Sequence, residues 1–226
     1  MTVEIEVSSW DRLHELASKD HRPELEAYLA SLKPSEIVAA VLRLEEDTQQ
    51  KVLAVLSPDD AAAVIEDLPD EQAAELIERL SPADAASIVK RMQSDEQADL
   101  IADLDHHDAE AILREMAPED AQEARELSKY ADDVAGGLMV TEFLSFSGDI
   151  TSDAALEKLK ATVAEDPDYF TRYVYVVTKR ERLIGVASVR ELALQESGTP
   201  LADAMVPASF VEPETSFDDI KNYYEN

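Results

Sequence analysis

LSPDDAAAVIEDLPDEQAAELIERLSPADAASIVKR, Leu56 to Arg91, is three copies of a 12-residue unit written end to end. Anchors keep the period on both sides, at Leu32, Leu44, Leu56, Leu68, Leu80, Met92, Leu104 and Met116. Five residues after the anchor most units have alanine (Ala61, Ala73, Ala85, Ala109, Ala121). Eight and nine residues after it comes an apolar pair: Val64/Ile65, Leu76/Ile77, Ile88/Val89, Leu100/Ile101, Ile112/Leu113. Offsets of 5, 8, 9 and 12 are i, i+3, i+4 and i+7, one face of an α-helix. Ser57-Pro58 and Ser81-Pro82 set an N-cap before a first-turn proline, and Ser94 with Gln97 reads as a capping box. Helices this short are marginal alone and must bury their stripes on one another. Residues 32 to about 127 are therefore expected to form eight short helices stacked as a superhelix, with no strand among them. Pro34, Pro58 and Pro82 recur every 24 residues, which suggests that helices work in pairs.

Upstream, Ser9 is placed to cap a helix beginning near Trp10, with Leu13 and Leu16 on one face. Pro23 fits the first turn of a second helix carrying Leu25 and Leu29. Downstream the grammar changes at YADDVAGGLMVTEF, Tyr130 to Phe143. Taken alone, Gly136-Gly137 reads as a flexible joint; paired glycines also allow sharp turns and expose carbonyls to a cation. Leu138 to Phe146 reads as extended, and Thr151 caps a helix bearing Ala154, Ala155, Leu156 and Leu159. Tyr173 to Val177 and Leu183 to Val189 read as paired strands around a turn at Lys179 to Arg182, and Arg190 opens another helix. A second copy of this unit then begins. Leu201 to Met205 echoes the lead-in, Phe210-Val211 the first strand and Thr215 to Tyr224 the first helix, before the sequence given stops at Asn226.

Composition narrows the chemistry. The 226 residues include no cysteine, so disulfides, thiolate metal sites and cysteine nucleophiles are excluded. No apolar run approaches the roughly 18 residues that span a bilayer, and MTVEIEVSSW lacks a signal-peptide core, so a soluble, cytoplasmic region is expected. A formal charge of −30 argues against binding nucleic acid or an anionic membrane. It fits plain solubility, a high-salt habitat, or a surface that cations neutralise. No P-loop, nucleophile elbow or dinucleotide fingerprint is present, and an enzyme is not expected.

Acids gather at the helix starts, at Asp59/Asp60, Asp70/Glu71, Asp95/Glu96 and Glu119/Asp120. Carboxylates there complement the helix dipole by about 0.3–1 kcal/mol each, which is reason enough for most of them. Asp95 and Asp99 are different. Four residues apart, they share a helix face, away from Leu100 and Ile101, and repel each other. A divalent ion would remove that repulsion. His106/His107, beside Asp105 and Asp108, is either a transition-metal site or a solvated helix start; His14 and His21 stand apart. Trp10, Tyr223 and Tyr224 read as core or interface packing.

Two resemblances meet in this order of parts. LMVTEFLSF, YVYVV and LIGVASVREL resemble a CBS domain, and residues 201–226 resemble the opening of its usual tandem partner. KPSEIVAAVLRL, the repeated SP(D/A)DAA units and the YADDVAGGLM junction resemble the N-terminal domain of MgtE-type magnesium transporters and channels. The resemblance implies a mainly α chain, a right-handed superhelix of short helices followed by an α/β CBS domain. Its implied domains are residues 1–130 (helical repeat), 131–200 (junction and first CBS domain) and 201–226 (start of a second CBS domain). It also implies a homodimer through the CBS domains, Mg²⁺ as ligand, and a transmembrane pore that the regulatory region gates. Matched motif by motif, the implied Mg²⁺ ligands are Asp95, Asp99, the Gly137 carbonyl and Asp218, with Asp219 beside it. Two positions depart from the family pattern: Ala63 stands where an acid is expected, and Glu191 where nucleotide-binding CBS domains place a ribose-contacting aspartate. A helical-repeat and CBS adaptor that binds no metal, or an adenine-nucleotide sensor, are the alternatives. Hard carboxylate oxygens on two facing domains suit Mg²⁺, which keeps several waters and needs one or two carboxylates per ion.

Overall fold

The computed structural model describes residues 9–19, 22–165 and 171–225. His21, Asn226 and the side chains of Ser9 and Tyr224 lie outside the described residues. Two compact units are present. One holds the chain up to Met139 together with the stretch from Pro213; the other is Val140–Glu212.

The first unit is built on the 12-residue period. After α1 (Ser9–Ser18) and α2 (Arg22–Leu29) come α3 (Pro34–Val41), α4 (Glu46–Leu53), α5 (Pro58–Glu66), α6 (Asp70–Glu78), α7 (Pro82–Val89), α8 (Ser94–Asp103), α9 (His106–Glu115) and α10 (Pro118–Leu127). Eight helices start 12 residues apart from Pro34 to Pro118, with no strand between them. Each packs on the helix two along: α3 on α5, α4 on α6, and so on to α8 on α10, with α4 also resting on α1. That alternation explains why the prolines recur at 24 residues. The core is the predicted stripe. Val64, Ile65, Leu76, Ile77, Ile88 and Val89 are all at least 96% buried, as are Ala61 and Ala85.

Caps follow the sequence in part. The Ser57 and Ser81 hydroxyls accept the Asp60 and Asp84 amides at 3.2 Å. The box expected at Ser94 and Gln97 does not form. Ser94 is the first residue inside α8 and is buried, Gln93 stands at the cap with no capping side chain, and Gln97 Nε2 turns back to the Met92 carbonyl at 2.8 Å. A buried amide does cross between repeats: Gln49 donates to the Val41 carbonyl at 3.1 Å and accepts from Gln72 Nε2 at 3.0 Å.

The junction forms a short 3-10 turn, Ala135–Leu138, that packs on α8. The last helix, α14 (Phe217–Glu225), belongs to this same unit. Trp10 packs against the core as expected, whereas Tyr223 is 54% exposed.

The second unit is a four-stranded sheet, in order β1 (Ser145–Ser147), β2 (Tyr173–Val177), β3 (Leu183–Ser188) and β4 (Val206–Pro207). β1 and β2 are parallel and the other pairs antiparallel. The sheet carries α11 (Ser152–Glu165), α12 (Val189–Leu192) and α13 (Leu201–Ala204). Thr151 caps α11, and β2 has the predicted bounds. Val174, Val176, Ala187 and Phe146 bury one face, while Tyr173, Tyr175 and Val206 on the other are exposed. The strand expected at Phe210-Val211 is absent. Val206–Pro207 takes the edge of β3 instead, and Phe210 is 73% exposed with no regular structure.

Capping chemistry should be measurable here. Ser81→Ala should lower stability by about 1 kcal/mol, and Gln93→Ser, which supplies a hydroxyl at an uncapped extended position, should raise it by roughly 0.5–1 kcal/mol. Urea unfolding midpoints of the two variants, at unchanged slope, check both signs.

Candidate metal centre

The carboxylates of this chain are not spread evenly in their surroundings. Many at the repeat's rim have cations: Asp59 with Arg91 at 3.5 Å, Asp120 with Lys90 at 3.0 Å, Glu46 with Arg79 at 3.2 Å, and Glu110 with Arg125 through two bonds of 3.1 Å. Around α8 the pattern inverts. Glu66, Asp70, Asp95, Glu96, Asp99 and Asp132 come together with no Lys or Arg within 4.0 Å of any of them among the described residues.

The stacking of helix on second neighbour makes this cluster. α6 packs on α8, which sets Asp70 of α6 facing Glu96 and Asp99 across a cleft of about 20 Å³, room for one water. Ile65, Leu68, Ala73, Met92 and Leu100 line the same cleft, so Asp99 is half-buried against apolar walls instead of pointing clear of its helix's core stripe as expected from the sequence. Burial first, and then the charges of Asp132, Glu96, Asp95 and Asp70, push Asp99 up to about 6. Glu96 is raised by burial and by Asp95, Glu66 and Asp70. Glu66 is raised by burial and by Asp67 and Asp95, although its carboxylate accepts the Gln93 amide at 3.2 Å. An ion at this site would meet a donor set of hard carboxylate oxygens that repel one another, the chemistry that Mg²⁺ relieves.

Of the four ligands implied by the motifs, Asp95 and Asp99 stand together in this cluster, and Gly137 lies in the 3-10 turn packed on the same helix. Asp218 occupies the first turn of α14 and is exposed; its helix start is tied to the junction by the Phe217 amide, which donates to the Asp133 carbonyl at 2.9 Å. Asp219 is engaged by the cap, where Ser216 accepts its amide and donates to its carboxylate. Sequence reasoning missed Glu66, Asp70 and Asp132. The signal for Asp70 was the 24-residue pairing, which brings helix starts two units apart side by side; Glu66 ends α5 and reaches the start of α8 through the Gln93 amide. It named Asp105 and Asp108 beside the histidines but missed Glu78, which joins them in a second group whose oxygens lie within 4.8 Å of one another and in which Glu78 accepts the Asp105 amide at 3.0 Å. Neither His106 nor His107 joins that group.

A raised carboxylate has a definite sign in stability. Asp99 binds its proton more tightly folded than unfolded, so the folded state gains protonation between its ordinary value of 3.8 and about 6, and stability falls as pH climbs through that window. Asp99→Asn should therefore melt higher than the parent at pH 7, by about 2–4 °C for each kcal/mol recovered, and the difference should vanish near pH 4. Thermal scans of both proteins from pH 4 to 7.5 measure it; an equal difference at every pH would mean that Asp99 does not titrate in this range.

This cluster lies in a stretch that is similar to known proteins. Residues 32–133 match the family model of the MgtE intracellular N domain. The magnesium transporter MgtE of Enterococcus faecalis is 39% identical over 89 residues, 38% of this chain and 19% of that protein. MgtE of Thermus thermophilus is 32% identical over 90 residues, 40% of this chain and 20% of that protein. The chain's match thus spans about a fifth of the length of these relatives. Solved structures extend the likeness over nearly the whole chain. The soluble part of a magnesium transporter superposes with a TM-score of 0.79 at 26% identity, covering 96% of this chain and 85% of that one. The cytosolic domain of the Mg²⁺ channel MgtE in complex with ATP gives 0.82 at 28% identity, covering 97% and 88%. No helix among the described residues is long and apolar enough to cross a membrane. Residues 32–133 are thus similar to the MgtE intracellular N domain, and the chain as a whole is built like the cytosolic part of those magnesium transporters.

Proposed function

We propose that this chain is the cytosolic, Mg²⁺-sensing regulatory region of an MgtE-like magnesium transporter or channel, and that Mg²⁺ draws the helical domain and the CBS module together to gate a pore carried elsewhere in the protein. It acts by binding, not by catalysis. The observation that carries the reading is the cation-free group of carboxylates around Asp95 and Asp99. Two like charges about 5 Å apart repel by roughly 1–3 kcal/mol at effective dielectric constants of 80 to 20. Several such pairs oppose close packing until a divalent ion bridges them. Asp95, Asp99, the Gly137 carbonyl and Asp218 are the proposed ligands, with Asp70, Glu96 and Asp132 as further carboxylates of the same field. The domain division proposed for this role is a helical repeat over residues 1–130, a junction and first CBS domain over 131–200, and the start of a second CBS domain from 201. Association as a homodimer through the CBS region would cover the exposed sheet face at Tyr173, Tyr175 and Val206.

Small-angle scattering tests gating and assembly together. Millimolar MgCl₂ should compact the protein, saturably, and the forward scattering should give about twice the 25.0 kDa chain mass. General screening depends on ionic strength alone, so NaCl at matched ionic strength is the control. The Asp95→Asn/Asp99→Asn double variant should compact less. Should NaCl reproduce the whole effect, or the double variant behave as the parent, these acids are not the sensor and the metal-free adaptor reading replaces this one.

A second reading has one observation in its favour: a structural relative was solved in complex with ATP. Against it, Glu191 stands where a ribose-contacting aspartate is expected, and its carboxylate accepts the Ser188 hydroxyl at 2.9 Å while Ser188 caps its amide. Titration calorimetry with ATP should show no saturable heat in this chain at micromolar nucleotide; a clear isotherm would establish the nucleotide reading.

A further inference from the structure

The paired glycines invite the reading of a hinge, yet the backbone around them is pinned. The Ala135 amide donates to the Thr215 carbonyl at 2.8 Å, the Gly136 amide to Pro213 at 2.7 Å, and the Phe217 amide to the Asp133 carbonyl at 2.9 Å. Val134 and Ser216 form an antiparallel bridge at the centre. Every part of this arrangement recurs inside the second unit. Leu201 donates to Ile150 at 2.7 Å, Ala202 to Gly148 at 3.1 Å, and Ser152 to Thr199 at 2.9 Å, around a bridge between Thr151 and Pro200. Donor by donor, 135 and 136 correspond to 201 and 202, and 217 to 152. The caps correspond as well, Ser216 to Asp219 as Thr151 to Ala154. A pairing that appears twice with the same hydrogen bonds is an element of the fold, not an accident of one loop.

The glycines themselves serve closeness, not freedom. Neither has a positive φ. A Cβ on Gly136 would lie 2.3 Å from the Tyr130 ring, and one on Gly137 2.5 Å from the Ala131 carbonyl oxygen. Both are glycine because something is packed where a side chain would be.

We infer that the Ala131–Gly137 junction and Pro213–Asp218 form a single clamped body, so that the paired glycines are a strut and the Gly137 carbonyl and Asp218 move as one piece. The clamp stands on backbone geometry alone. Its consequence for regulation rests on the Mg²⁺ reading: the proposed ligands fall into two rigid sets, Asp95 and Asp99 on α8, and Gly137 with Asp218 on the clamp. A change that disturbs the start of α14 would then be felt at Gly137 directly.

Amide hydrogen exchange on the full chain, without Mg²⁺, is the test. The Ala135, Gly136 and Phe217 amides should exchange at least about tenfold more slowly than those of Val140 and Val211, which lie in segments without regular structure. Ala135→Pro removes one donor and sets the ring against the Thr215 carbonyl, while Val134, at φ −119° and ψ 163°, already has the conformation that precedes a proline. In that variant Gly136 and Phe217 should speed up together, by about fivefold or more, with Ser152, Leu201 and Ala202 unchanged. A second variant does not depend on how well the proline is tolerated. Val134 and Ser216 are a non-hydrogen-bonded pair, close enough for a disulfide, and the chain has no other cysteine. Val134→Cys/Ser216→Cys should oxidise to completion and keep the scattering response of the parent. Linker-like exchange in the parent, independent behaviour of Gly136 and Phe217, failure to cross-link, or a cross-link that abolishes a response the parent shows would each overturn the clamp. A parent that does not respond to Mg²⁺ at all, yet shows the protection and the cross-link, would count against the sensor reading and leave the clamp standing.

Discussion

A helix of eight to ten residues cannot stand in water by itself, and nearly everything in the first unit follows from that limit. Each short helix has an apolar stripe too small to bury by curling and must lend it to a neighbour. Because the units are 12 residues long, consecutive helices turn away from each other and the second neighbour receives the stripe. Alanine at the fifth position keeps that approach close: Ala61 and Ala85 are fully buried where longer side chains would hold the layers apart. The superhelix is thus a consequence of helix length and period, before any particular residue is considered.

The same stacking sets the electrostatics. Acids belong at helix N-termini, where the dipole favours them. Stacking every second helix then lines those termini up, so charges that are each favourable on their own helix become crowded across the gap. Along much of the rim Arg79, Lys90, Arg91 and Arg125 relieve the crowding. Around α8 no such cation is present among the described residues, and apolar walls deepen the cost for Asp99. Uncompensated carboxylates in such a place oppose close packing, which is the property that the proposed Mg²⁺-sensing role calls on.

What was legible in the sequence was what repeats. Every helix from Pro34 to Pro118 begins where the period puts it, because the apolar stripe is local and recurs along the repeat. The first copy of the strand–helix–strand–strand–helix unit was legible for the same reason: alternation in YVYVV and LIGVASV speaks for itself. The errors have one cause, a partner far away in sequence. Ser94 looked like a cap but is drawn inward by burial, leaving Gln93 at the end of the helix. Phe210-Val211 had the composition of a strand, but the free edge of β3 is taken by Val206–Pro207. Gly136-Gly137 looked loose because Tyr130 and Pro213, which hold it, are recognisable only once the chain has folded back. Of the candidate site, Asp95 and Asp99 were visible as an i, i+4 pair, whereas Asp70 and Asp132 enter only through packing.

Repetition also creates a danger that one buried glutamine addresses. Eight nearly equivalent seats mean that a helix displaced by one or two units would find almost the same apolar surface waiting, and hydrophobic burial alone distinguishes such slipped arrangements poorly. Gln49 stands buried at the position where most units have alanine. Its partners, the Val41 carbonyl and Gln72, come from other units. In another seat it would bring an amide into the interior with nothing to bond. This side chain acts as an address within an otherwise anonymous stack: it adds little to its cohesion, but it makes the correctly ordered pile unique among its near-copies.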